Sequence, residues 1–153
     1  MFNIVLYQPE IPPNTGNIIR LAANTGAHLH LIKPLGFALD EKRLRRAGLD
    51  YHEWANVTQH ASLMDCLAQY PHNTVWAATT KGKTCYTSAH YQPNDILLFG
   101  PETRGLPVDI LLQLPETQKI YIPMQPHSRS INLSNAVAVI LYEALRQQDF
   151  NFR

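Results

Sequence analysis

The chain reads as an α/β protein with a mainly parallel sheet flanked by helices, because short β-rich runs alternate with helical patterns along its whole length. Two loops place a ligand site in that frame. FGPETRGL at 99–106 follows the apolar run Ile96-Leu97-Leu98-Phe99, and YIPMQPHSRSINLSNA at 121–136 continues the run Lys119-Ile120-Tyr121-Ile122. Ligands of open α/β sheets sit beyond the carboxyl ends of the strands, so two such loops predict one shared pocket.

Each element carries its own warrant. Phe2 to Tyr7 is β-rich and ends at Gln8-Pro9, and the prolines of Ile11-Pro12-Pro13 are expected to delay the next helix, with Asn14 as its N-cap. Asn17 to Ala23 then reads as a helix stopped by Gly26, and His28-Leu29-His30-Leu31-Ile32 alternates as a second strand. Asp40-Glu41 followed by Lys42, Arg43, Arg45 and Arg46 predicts a short helix, acidic in its first turn and basic after, closed by Gly48. Residues 60–70 form a weaker helical pattern, and 74–79, 96–99 and 119–122 are strands. Pro107 opens a helix over 107–112. The last element, Leu133 to about Gln148, is apolar on nearly every side, which predicts burial all round and, at a chain's end, packing against a second copy in a homodimer.

At 153 residues with 45% hydrophobic and 16% charged side chains, one globular domain spanning 1–153 is expected. A net charge of +1 leaves any nucleic-acid role to local clusters of Lys and Arg. Cys66 and Cys85 lie outside zinc or CxxC spacing, and the seven histidines lack HxxxH or HxE spacing, so neither a disulfide framework nor a metal site is assigned. With no apolar run near the ~20 residues that cross a bilayer and no basic leader before an apolar core, the expectation is a cytoplasmic protein without a membrane partner.

Three constellations carry chemistry. Ala77 to Thr84 nearly matches the phosphate-binding P-loop, but Ala77 stands where the tight turn needs glycine, which argues against nucleoside triphosphate hydrolysis. On the first helix Asn14, Asn17, Arg20 and Asn24 fall near one face, opposite Ile18, Ile19, Ala22 and Ala23. Arg20, with its fixed fork of donors, suits a phosphate or a developing oxyanion. In the two loops Gly100 and Gly105 permit close backbone approach, and Glu102 supplies a carboxylate that could hold a ligand, pair with Arg104 or cap the helix at 107. Ser128, Arg129, Ser130, Asn132, Ser134 and Asn135 exceed what capping one helix requires, and the excess points to ligand contact. The basic run at 42–46, with Lys81, Lys83, Arg104 and Arg129, offers phosphate contacts, and Tyr7, Trp54 and Tyr142 offer stacking surfaces.

The order of these pieces resembles the SPOUT superfamily of RNA methyltransferases. The matching residues are Asn14-Thr15-Gly16-Asn17-Ile18-Ile19-Arg20, then Phe99 to Leu106, then Ile122-Pro123-Met124 with Ser128 to Ala136, so the resemblance covers essentially the whole chain. The short length is similar to the TrmL (YibK) group, which 2′-O-methylates the wobble nucleotide, cytidine or modified uridine 34, of certain leucine tRNAs.

That resemblance implies a C-terminal deep trefoil knot, a topology that general connection rules disfavour. It implies S-adenosylmethionine as cofactor, leaving as S-adenosylhomocysteine, held by backbone around Ala78, Thr79, Gly100, Ile122 and Ser130 with Leu133 nearby. It also implies a homodimer with the site near the subunit boundary. Arg20 is the family's candidate catalyst, with Asn17, Glu102 and Asn132 beside it holding the reactants. Lys81, Arg129, Arg43, Arg46 and Tyr142 are candidates for contact with tRNA or for dimer geometry. The competing expectations are an RNA-binding module without catalysis and a 2′-O-methyltransferase of another tRNA or rRNA position.

Overall fold

The computed structural model describes residues 1–152. Side chains that alternate along the central strands bury on both faces of one seven-stranded sheet whose paired strands all run parallel. The strands are β1 (Asn3–Tyr7), β2 (His28–Ile32), β3 (Val57–His60), β4 (Val75–Ala78), β5 (Thr84–Cys85), β6 (Ile96–Phe99) and β7 (Lys119–Tyr121), in the order β3-β2-β1-β6-β4-β7-β5. The helices are α1 (Pro12–Thr25), α2 (Glu41–Arg46), α3 (Tyr51–Trp54), α4 (Leu63–Leu67), α5 (Val108–Leu112) and α6 (Leu133–Gln147).

Ile4, Leu6, Leu29, Leu31, Leu97 and Phe99 point to one face, where Ile18, Ile19 and Ala22 of α1 and Val137, Ile140, Leu141 and Ala144 of α6 cover them. Val5, Ile32, Ala77, Ile96 and Leu98 point to the other, under Cys66 of α4 and beside Leu106 and Leu111. Fully burying one such side chain contributes about 1.5–3 kcal/mol, so this two-sided core fixes the sheet and the strand ends that matter below.

Several expectations change. α1 begins at Pro12 with Ile11 as N-cap, since prolines in a first turn need no N–H and carry the helical φ already; Asn14 lies inside the helix and is not its cap. The left-handed Gly26 ends it, as the sequence indicates. The 60–70 helix shrinks to α4, capped by Ser62, because His60 belongs to β3. In the single chain α6 buries only its sheet-facing side. Its outer face leaves Val139 38% and Tyr142 44% exposed, and Tyr142 lies 6.5 Å from the Phe150 ring, so the helix is amphipathic in this chain alone.

β7 occupies the slot between β4 and β5, two strands joined by residues 79–83 alone. The bridge lies on the inserted strand: Thr79 N donates to Ile120 O at 2.9 Å, and a Cβ on Gly82 would stand 2.7 Å from Lys119 O. Only glycine fits there. No helix follows the bridge, so residues 77–84 are not a P-loop.

The structure also joins His30 of β2, His60 of β3 and Cys66 of α4, whose donor atoms lie within 4.8 Å of one another, a grouping the linear spacing does not show. His30 Nδ1 and His60 Nε2 share a 2.9 Å hydrogen bond, and His30 Nε2 meets Asn3 Oδ1 at 3.0 Å. Burial first, then the neighbouring His60 and His28, pushes His30 down to about 4. The unfolded chain therefore binds the extra proton near pH 6.5 and the folded chain near 4, so stability is full above that window and falls with pH through it. Between pH 7 and 5 the loss from His30 is about 1.5 kcal/mol after allowance for solvent screening. Urea midpoints at the two pH values measure it, and His30→Gln should flatten the slope.

Candidate functional site

β6, β4 and β7 are neighbours, and their carboxyl ends open into one cavity of about 450 Å³. That is a size suited to a ligand with the bulk of a nucleoside. Ala78 and Thr79 line it from β4, Gly100 from β6, and Ile120 and Ile122 from β7 and beyond; Ser130, Asn132 and Leu133 close it before α6. The two loops picked from sequence do share a pocket, and every residue expected to hold the cofactor lines it. Lys81 and Glu102 also stand in its wall.

Gly100 makes the turn out of β6 possible. A Cβ there would lie 2.3 Å from Leu106 N and 2.4 Å from the Gly105 carbonyl carbon, so the 99–106 loop folds back on a position that tolerates no side chain. Gly105, at φ +67°, completes the return.

Glu102 neither pairs with Arg104 nor caps α5. Its Oε1 accepts from Glu10 N at 2.8 Å, and its Oε2 accepts from Ile11 N at 2.9 Å and Asn14 Nδ2 at 3.1 Å. Ile11 offers no side-chain cap, so this carboxylate from a distant loop caps α1 in its place and sits at the positive end of the helix. Glu10 reciprocates, accepting from Thr103 N and Thr103 Oγ1 at 2.9 and 2.8 Å, and those bonds hold its carboxyl below the usual range.

Asn14 is buried and turned away from the polar stripe expected on α1. It passes the connection on, accepting from Asn132 Nδ2 at 3.0 Å. Asn132 Oδ1 in turn caps α6, accepting from Ser134 N and Asn135 N. Asn132 is therefore a cap as well as a wall of the cavity, and one chain of side-chain hydrogen bonds ties the three sequence motifs together.

Asn17 and Arg20 are exposed on α1 and outside the cavity's lining. Arg20 is engaged with Glu53 and with the carbonyl of Gly48. Arg43 and Arg46 are exposed on α2, where Arg43 pairs with Asp40; Arg129 is exposed beyond the cavity, and Tyr142 lies on the outer face of α6. Trp54 lies 5.6 Å beneath Arg45. Sequence reasoning passed over Glu10 and Glu53. The spacing Asp50-x-x-Glu53 was the available signal for α3, since it forms a complete capping box.

The SpoU rRNA Methylase family profile matches residues 1–142. A tRNA (cytidine(34)-2′-O)-methyltransferase of Escherichia coli strain K12 is 62% identical over 147 residues, covering 96% of this chain and 94% of that one. A solved structure described as giving insight into the 2-OH methylation of C/U34 on tRNA superposes with a TM-score of 0.88 at 45% identity, covering 97% of each chain. AviRb, an SpoU methyltransferase of Streptomyces viridochromogenes solved with AdoMet, superposes at 0.79 with 25% identity, covering 96% of this chain and 57% of its own. With the parallel sheet and with three motifs meeting at one cavity, this match along nearly the whole chain makes the protein a member of the SpoU methylase family.

Proposed function

We propose that the chain is an S-adenosylmethionine-dependent tRNA 2′-O-methyltransferase acting on the ribose of nucleotide 34, and that leucine tRNAs are its substrates. The observation that carries this reading is the convergence of all six expected cofactor residues on one cavity at the ends of β6, β4 and β7. The residues suit the cofactor. Leu106, Leu133 and Ile140 give an apolar wall for an adenosine, while Gly100 admits close backbone approach.

When bound, the cofactor supplies an electrophilic methyl carbon. The protein's own work is to seat the ribose hydroxyl in line with it and to stabilise the oxygen as its proton leaves. Arg20, which lies outside the lining of this chain's own cavity, is assigned that stabilisation at the subunit boundary, where a second copy would meet the site. Its bond to Glu53 raises an already high pKa, so it acts as a fixed cation and donor, not as the base. Among the described residues Glu102 is the one carboxylate of the cavity wall, and no histidine lines it. Because Glu102 is taken up by the N-terminus of α1, the proton is assigned to an RNA phosphate or to water. Asn17 is assigned to the ribose, Ser130 to the cofactor, and Lys81, Arg129, Arg43 and Arg46 to tRNA phosphates.

The exposed Val139, Tyr142 and Phe150 support a homodimer through α6, which would bring a second copy to the site. The insertion of β7 between β4 and β5 supports a trefoil knot in the C-terminal part of the chain. Among the described residues no helix is long and apolar enough to cross a membrane, and we assign the enzyme to the cytoplasm with its tRNA.

Incubation with unmodified tRNA and labelled S-adenosylmethionine tests the reading, followed by mass-spectrometric mapping of the methylated nucleotide. Arg20→Ala should lower kcat by about 10²–10³-fold while cofactor binding stays unchanged. RNA affinity without any cofactor binding would establish the non-catalytic RNA-binding module instead.

A further inference from the structure

We propose that Glu53 is a positioning residue that aims the Arg20 guanidinium at the substrate, with the Gly48 carbonyl as its second anchor; this rests on the assignment of Arg20 to the reaction. The geometry is specific to one edge of the guanidinium. Arg20 Nε donates to Glu53 Oε2 at 2.7 Å, and Nη2 donates to Gly48 O at 2.8 Å and to Glu53 Oε1 at 3.4 Å. Among the described residues Nη1 has no hydrogen-bond partner, so both its donors are free for an oxyanion or a phosphate. A free arginine side chain rotates through many rotamers, and catalysis gains when the donor is held in place before the charge appears.

Glu53 is itself fixed. Its backbone N donates to Asp50 Oδ1 at 3.1 Å, and its Oε1 accepts from Asp50 N at 3.1 Å, the two bonds that cap α3. The Glu53 side chain is 16% exposed against 52% for Arg20, so the anchor is the more sheltered partner. An ion pair at a surface contributes little stability, which leaves orientation as what this one supplies. Gly48 lies between α2 and α3 and Glu53 within α3, so both anchors of Arg20 sit in the segment that follows the basic helix α2.

The test is a double-mutant cycle of Arg20→Ala and Glu53→Ala, with Glu53→Gln as an isosteric variant, read by single-turnover methyl transfer to tRNA and by calorimetric cofactor binding. Glu53→Ala is expected to lower kcat by about 10-fold or more with cofactor affinity within about 2-fold of the parent. Glu53→Gln, which keeps one acceptor, should recover part of that loss. In the Arg20→Ala background the Glu53 substitution should change the rate by less than about 2-fold, because a residue acting only through Arg20 has nothing left to act on. Multiplicative losses in the cycle, or undiminished kcat for Glu53→Ala beside a crippled Arg20→Ala, would overturn the positioning role and leave the Arg20 assignment standing. Undiminished activity of Arg20→Ala would overturn that assignment, and this inference with it. Should Glu53→Ala lose its cofactor binding through misfolding, Glu53→Gln decides by the same two criteria.

Discussion

Gly100→Ala is expected to abolish cofactor binding, weakening it by at least about 100-fold, and to destabilise the fold by about 3 kcal/mol. The added methyl would stand 2.3 Å from the Leu106 amide nitrogen, inside any tolerable contact, and the atoms it meets are backbone that cannot rotate aside. Relief requires the 100–106 return to move outward, and that segment forms one wall of the cavity. Gly16→Ala is the control. Gly16 sits in α1 with nothing within 4 Å of the added carbon, so alanine there should be neutral or stabilise by up to about 1 kcal/mol. Urea denaturation and isothermal calorimetry with S-adenosylmethionine measure both effects, and an unchanged dissociation constant for Gly100→Ala would remove this cavity as the cofactor site.

Glu102→Ala should follow closely, with a loss of about 3 kcal/mol and a large fall in cofactor affinity. The substitution leaves the amides of Glu10 and Ile11 and the side-chain amide of Asn14 without the acceptor that now serves all of them. Glu102→Gln retains one acceptor oxygen and should fall roughly midway. The distinction between a clamp and a reacting group lies in which quantity moves. A clamp lost lowers thermal stability and cofactor binding together, whereas a carboxylate that touched the reactants would lower kcat with the melting temperature unchanged. The hydrogen bonds assign Glu102 to the first kind.

How much of this was legible in the sequence depends on where the information is stored. The central strands are written as short β-rich apolar runs, so β1, β2, β4, β6 and β7 could be read directly, and Gly26 and Gly48 mark the ends of α1 and α2 by chain geometry. β3 and β5 are not legible in that way. Thr58 and Gln59 are exposed on an edge strand, and Thr84-Cys85 is too short to show a period. The cavity wall was legible because it consists of strand ends and glycine, whose roles are backbone roles. The polar side chains were not. Glu102 and Asn132 looked like ligand contacts and Asn14 like a helix cap when read one segment at a time, and only the fold reveals that they answer one another across 88 and 118 residues of chain. Arg20 suffers the same limit, since nothing in its own helix announces Glu53 as its partner.

The linked triad of Glu102, Asn14 and Asn132 bears on how this protein can change over generations. Asn132 donates to Asn14 and Asn14 donates to Glu102, and each belongs to a different stretch of the gene. A replacement at one leaves a partner stranded in a second and loosens a third, so single steps away from the present trio run downhill. Drift at these positions is therefore expected to run through rare coordinated exchanges, and variation in a lineage should collect instead on the exposed outer surfaces, where a changed residue has no counterpart to disappoint.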